Sequence, residues 1–303
     1  MKFLFYTDLQ LSNKTPVNRV DDYPVALVDK LGQVYRIARD RECDCVIFGG
    51  DFFNSHRIYA FHLILDALKI INVPTYMVIG QHDVSGYNKE SYKKSTLGFF
   101  EHINKYLKCL WEDTDVGGII FRPCHVWDDI EAMNSMEIPE KPSVLVAHHL
   151  LSDGMDVFDV VDINRFGQNC PYDMVLSGDL HKGYKPKKVG KTWFVNPGSI
   201  ARQTIADIGR TPAVAFIEFA DDVSVEIIDL NCQSDIFSDK VVKKSQKKEY
   251  NHFDPKDFIS AVESFGEVSV DFLDLLLKVG GKDGIDPAII AYIDEKWKTM
   301  EVI

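Results

Sequence analysis

Acids, imidazoles and side-chain amides recur in this chain just after short apolar runs. Asp8 and Gln10 follow residues 2–7, Asp51 follows 46–48 and Gly49-Gly50, and Gln81-His82-Asp83 follows 75–79 and Gly80. Further on, His148-His149 follows 144–147, and Asp179 and His181 follow 174–176 and Ser177-Gly178. Carboxylate and amide oxygens and imidazole nitrogens are ligands for divalent cations. Two such ions roughly 3.5–4 Å apart, joined by a bridging carboxylate, can hold a hydroxide and clamp a phosphate for in-line attack. Read alone, any one of these histidines is a packed or surface residue. Five such loops together are poorly explained by packing.

Loops can share ligands only if the elements before them end at one edge. Residues 2–7, 45–48 and 75–79 are apolar runs of strand length, separated by helical patterns at 24–40, with Leu27, Leu31, Val34 and Ile37 or Ala38 on one face, and at 60–71. Strand, helix, strand in this order predicts right-handed crossovers and parallel strands whose carboxyl ends share an edge, where open α/β sheets bind ligands. Residues 91–107 read as a helix with Phe99 and Phe100 in the core. Residues 117–121, 144–147, 174–176 and 192–195 read as strands, and 213–219 with 223–230 as a closing hairpin.

At 303 residues and 46% hydrophobic the chain can bury a sizeable core. A balance of 34 basic to 46 acidic side chains, net −12, argues against a broad basic coat for nucleic acid but not against a local groove. The first apolar stretch is broken at Asp8, too early for a secretory leader, and no run is long enough to span a bilayer, so no membrane role is expected. The six cysteines lack zinc-site spacing and read as reduced thiols of a cytoplasmic protein. After residue 231 a lysine-rich link at 240–248 leads to helical patterns at 255–265, 270–279 and 287–297; the glycines of 279–284 read as a loop rather than a phosphate cradle. The expected division is 1–231 and 232–303.

Asp8-x-Gln10, Gly50-Asp51, Gly80-Gln81-His82-Asp83, His148 and Gly178-Asp179-Leu180-His181 resemble the calcineurin-like metallophosphoesterase pattern D-x-H, G-D, G-N-H-D, H, G-H-x-H over roughly residues 1–230. Gly50-Asp51-Phe52-Phe53 and Asn196-Pro197-Gly198-Ser199 followed by Arg202 are most similar to SbcD-type DNA repair nucleases, bacterial or phage-encoded, the latter placing the protein in the host cytoplasm. The resemblance implies a four-layer α/β sandwich, two mixed sheets flanked by helices. It implies Asp8, Gln10, Asp51 and His181 around one divalent ion and Asp51, Gln81, His148 and Asp179 around the other, with Asp51 bridging. His82 becomes the proton donor or phosphate-orienting residue, and Asp83 fixes its loop. His149, Asn54 and His56 are auxiliary candidates; Asn54 stands where such nucleases often carry a second histidine. Implied partners are DNA and an SbcC-like coiled-coil ATPase docking on the C-terminal helices, with a homodimer as a further expectation.

Three positions depart from the pattern: Gln10 and Asp179 replace histidines, and Gln81 replaces asparagine. Three ligand carboxylates against two dications leave a formal +1 where the family's two leave +2, so a bound water is acidified less. Oxygen donors in place of imidazoles shift the expected ion toward manganese, or magnesium, and away from zinc. The rival readings are a small-molecule phosphodiesterase or phosphomonoesterase, and a degraded site on a scaffold subunit.

Overall fold

The computed structural model describes residues 1–137, 141–154, 160–220, 222–232 and 237–238, within a compact unit Met1–Val242. The lysine-rich link beyond Ser238 and the expected C-terminal helices lie outside the described residues. In chain order the elements are β1 (Lys2–Tyr6), α1 (Tyr23–Asp40), β2 (Cys45–Phe48), α2 (Phe61–Ile70), β3 (Thr75–Met77), α3 (Thr96–Ile103), β4 (Leu107–Cys109), β5 (Thr114–Val116), β6 (Ile119–Cys124), β7 (Ser143–Ala147), β8 (Leu151–Ser152), β9 (Val161–Asp162), α4 (Ile163–Phe166), β10 (Met174–Ser177), β11 (Tyr184–Val189), β12 (Thr192–Asn196), β13 (Ala213–Glu218) and β14 (Ser224–Asp229).

Two mixed six-stranded sheets result, in the orders β14-β13-β1-β2-β3-β4 and β11-β12-β10-β7-β6-β5. β1 to β4 run parallel, as do β6, β7, β10 and β12, while antiparallel hairpins form every edge but that of β4. Strands buried on both faces must be largely apolar, and β1, β2, β7 and β10 are, apart from Lys2, Ser143 and Ser177 at their ends. Alternate residues of β1 serve two cores. Leu4 and Tyr6 pack against Leu27, Leu31 and Val34 of α1, with α2 and α3 in the same layer. Phe3 and Phe5 face Phe121, Val144, Val146 and Leu176 of the second sheet. Among the described residues the outer face of that sheet is covered by α4, the short parallel pair β8-β9, a 3-10 turn and loops, packed on Leu145, Val175 and Phe194. The four expected layers are present, one outer layer being thin.

The segment read as one helix over 91–107 is a 3-10 turn, Lys89–Lys94, then α3, then the parallel edge strand β4. Ser95 breaks it by capping Gly98 N, and Asn104 ends α3 in extended backbone. Phe100 is buried, but Phe99 points outward, 53% exposed. β11 (Tyr-Lys-Pro-Lys-Lys-Val) hid behind its polarity; as an edge strand it tolerates Pro186 and exposed lysines. Among the described residues no helix is long and apolar enough to cross a membrane.

Candidate metal centre

Parallel strands of both sheets deliver the candidate loops to one edge. Asp8, Gln10, Asp51 and Asp179 all sit in left-handed backbone, φ 45–69°, a region that costs a non-glycine residue on the order of 1 kcal/mol or more. Main-chain bonds hold them there: Asp8 N and Gln10 N donate to Gly50 O and Asp51 O at 3.1 and 2.9 Å. Gly50 (φ 97°) and Gly80 make the approach possible, since a Cβ at Gly50 would strike the His148 ring and one at Gly80 the Asp51 carboxylate.

Asp51 lies at the middle. Its Oδ1 is 3.6 Å from His148 Nε2 and accepts His82 N at 2.9 Å; its Oδ2 is 3.4 Å from Gln10 Nε2 and 3.8 Å from His82 Nε2. Asp8 Oδ2 takes Thr7 Oγ1 at 2.7 Å and Asp179 N at 3.1 Å, and Asp8 Oδ1 stands 3.5 Å from His181 Nε2. Ligand atoms of Asp8, Asp51 and His148 lie within 4.8 Å of one another, and all three residues are fully buried.

The donor set fits a divalent cation. Asp8 Oδ1, Gln81 Oε1 and His148 Nε2 are buried with no hydrogen-bond partner among the described residues, which is costly unless an ion satisfies them. The surroundings orient these atoms for that task. The carbonyl of Gly49 takes the Nδ1 proton of His148 at 2.6 Å, so Nε2 faces the site, and Gln81 gives its amide N–H to Asp179 at 2.8 Å, leaving its oxygen over. Burial disfavours charge on both Asp51 and His148. Their mutual attraction overrides it, with His82 helping Asp51 and Asp8 and Asp179 helping His148, so the carboxyl is held below its usual range and the imidazole well above. His181 is likewise raised by Asp8 against its burial.

Asp83 touches none of these atoms. It accepts Gly80 N, Asp51 N, Phe52 N and Phe53 N at 2.9–3.4 Å and so pins the loops carrying Asp51 and His82. Burial, then the charge of Asp51, pushes it up to about 7, against those donors. His82 is 41% exposed at the rim, its Nδ1 3.2 Å from the Asn54 carbonyl. Asn54 therefore adjoins the site. His149 points its Nε2 at the His125 carbonyl, 2.9 Å away, and the carbonyl of His56 accepts Thr96 N; no hydrogen bond among the described residues joins either ring to the other candidates.

Gln203 escaped the sequence reading, although it neighbours Arg202, which the motif singled out. Arg202 is buried and turned toward the Asp207 carbonyl and Cys232. Gln203 enters the site, donating to Gln10 Oε1 at 2.8 Å and to Asn54 Oδ1 at 3.4 Å. A glutamine 193 residues from its partner leaves no local signal.

Among solved structures, a dimetal phosphatase from Danio rerio is similar at 12% identity and TM-score 0.51, covering 78% of this chain and 99% of its own. A protein of Thermus thermophilus (13%, TM-score 0.47; 74% and 97% covered) and a purple acid phosphatase from yellow lupin, Lupinus luteus (15%, TM-score 0.47; 76% and 51%), are more distant in shape. No curated protein matches the chain. The family model described as calcineurin-like phosphoesterase matches residues 1–183, the span that carries every loop of the site except that of Gln203; with these strands, loops and buried acceptors, the chain belongs to that family.

Proposed function

We propose that this chain is a two-metal phosphodiesterase acting on DNA, the nuclease subunit of an SbcCD-like repair complex in the cytoplasm. The observation that carries the chemistry is the buried set Asp8, Asp51 and His148, with three buried polar atoms left without a partner among the described residues and Asp51 facing both halves. When bound there, two divalent ions acidify a water and neutralise the phosphate. Oxygen donors predominate, which favours manganese, then magnesium. The chain's own part is to position. Asp83 holds the Asp51 and His82 loops, Gly49 aims His148, and the Asn54 carbonyl holds the His82 ring. His82 Nε2, on the site side, is the atom able to pass a proton to the leaving oxygen.

An aromatic group beside the site supports a base-bearing substrate. Trp111, 42% exposed, stacks near-parallel with Trp127 and sits 5.4 Å from His125, and Lys89 Nζ lies 5.4 Å over its ring. His125 and Val126 bond to Ile79, two residues before Gln81. Rings next to an ammonium suit a stacked base and its phosphate. The proposed partners besides DNA are a coiled-coil ATPase, docking on the C-terminal helical patterns at 255–297, and a second copy of the chain.

One observation favours the scaffold reading: Gln10 turns its amino group, which has no lone pair to give, toward Asp51 and His181. The deciding experiment is hydrolysis of a linear DNA duplex and of bis-p-nitrophenyl phosphate with manganese, magnesium or zinc, comparing wild type with His82→Ala and Asp51→Asn. Manganese-dependent DNA cleavage, lost by about 100-fold or more in both variants, is expected. Cleavage of the small ester alone would replace DNA by a small phosphodiester, and no turnover with either, even with the ATPase supplied, would leave the scaffold.

A further inference from the structure

The two halves of the site treat their amides in opposite ways. Gln81 spends its N–H on Asp179 and leaves its oxygen buried and unclaimed. Gln10 does the reverse. Its oxygen is taken by Gln203 Nε2 at 2.8 Å, so its own Nε2 lies 3.4 Å from Asp51 Oδ2 and 3.2 Å from His181 Nε2. Those are the atoms an ion beside Asp8 and His181 would need. An inward N–H group offers no lone pair, occupies one on Asp51 Oδ2 and stands against His181 Nε2, where a cation would sit.

Gln203 is itself held in place. Asp207 Oδ2 accepts Gln203 N at 3.0 Å and Thr204 N at 2.9 Å, while Thr204 Oγ1 and the Arg210 guanidinium tie the same carboxylate. The Gln203 amide also donates to Asn54 Oδ1, whose backbone carbonyl meets His82 Nδ1. Three side-chain amides thus form a chain, Gln10–Gln203–Asn54, ending at the residue that holds the rim histidine.

We propose that Gln203 is a positioning residue that sets which end of the Gln10 amide faces the site, and thereby makes the Asp8–His181 half the weaker of two ion sites. The inference rests on the metal-centre reading above. Turning all three amides over keeps every bond between them with its direction reversed: Gln10 then donates to Gln203 and its oxygen faces the ion. The chain is a two-state relay. An inward Gln10 oxygen with no cation beside it would meet the Asp51 carboxylate, whereas beside a cation it would be a ligand. Ions therefore load in order, first on the His148 half, where Gln81 Oε1 already stands open, and then on the His181 half after the relay turns. Breaking the two inward contacts of Gln10 makes the second ion weaker by on the order of tenfold.

The test is manganese titration of the full chain by calorimetry, with native mass spectrometry for stoichiometry; neither needs turnover. Wild type is expected to bind two ions, the second roughly tenfold weaker. Gln203→Glu presents acceptors only, so Gln10 must turn its N–H outward, and the gap between the two affinities should close by most of that factor. Gln203→Leu, which releases the relay without adding charge, should narrow it in the same direction. In a Gln10→His background the imidazole supplies its own lone pair, and Gln203→Glu should leave the gap unchanged. Two equal wild-type affinities, or a Gln203→Glu effect equally large in the Gln10→His background, would overturn the relay while leaving the metal centre standing. No ion bound by any variant would overturn the metal centre, and the relay with it.

Discussion

The Asp83 carboxylate collects four backbone N–H groups from the two loops that carry Asp51 and His82. Its worth is architectural, and a substitution reports on it directly. In Asp83→Asn an amide N–H group must face at least one backbone donor, and a buried donor without an acceptor costs about 1–3 kcal/mol. The expected result is an unfolding free energy lower by about that amount, read as a lower urea midpoint, with weaker manganese binding because Asp51 shifts; an unchanged midpoint would mean that these bonds contribute little. Gln10→His makes the complementary case. It restores an imidazole at the family position, and manganese affinity at the second ion should rise by roughly tenfold in titration. Asp8, Asp51, Gln81, His148 and Asp179 were legible as site residues because each follows an apolar run, three of them (Asp51, Gln81 and Asp179) just past the glycine that lets the backbone turn there. Gln203 was not, because its role is set by Gln10 across 193 residues.

At the scale of elements, the close approach of the loop after β2 to the one after β7 decides whether a site exists. Gly50→Ala would drive a methyl into the His148 ring at φ 97°, so a loss of about 3 kcal/mol or more is expected. Gly154→Ala is the control. Its φ is 84°, yet among the described residues nothing lies within 4 Å, so only the backbone term of about 1 kcal/mol applies. Equal losses in thermal melts of the two variants would show that backbone strain, not the His148 contact, sets the requirement at Gly50. The same strands explain which elements a sequence reading finds. β1, β2, β7 and β10 are buried and apolar but for an end residue, so they announce themselves; β4 and β11 are edge strands whose pairing, not composition, makes them strands.

For the whole molecule, stability depends on pH through a histidine outside the proposed ion ligands. His125 is 3% exposed, its Nδ1 accepting Ile79 N at 3.0 Å, and burial pushes it down to about 4. An unfolded chain takes up that proton near pH 6.5, while the folded chain resists until about 4. The folded state therefore loses stability as pH falls through that window, by about 2 kcal/mol between pH 7.5 and 5.0. His125→Asn keeps an acceptor for Ile79 N without the titration, so its melting temperature should fall less over that range; an equally steep fall would assign the effect elsewhere. Every candidate site residue lies within the compact unit Met1–Val242. A chain ending there should hydrolyse bis-p-nitrophenyl phosphate within about twofold of the full chain, a comparison that separates the site's requirements from those of any docking partner.

The order of strands and loops, and the class of chemistry at their ends, follow from the sequence by itself, because apolar runs and ligand types are local properties of the chain. The directions of the amides do not. Gln81 and Gln10 are the same residue type in two loops of the motif, yet one leaves its oxygen free and the other its N–H, because Asp179 accepts from the first and Gln203 donates to the second. Those partners stand 98 and 193 residues away. Only the folding of both sheets to a common edge brings them together, and with that the difference between the two halves of the site is decided.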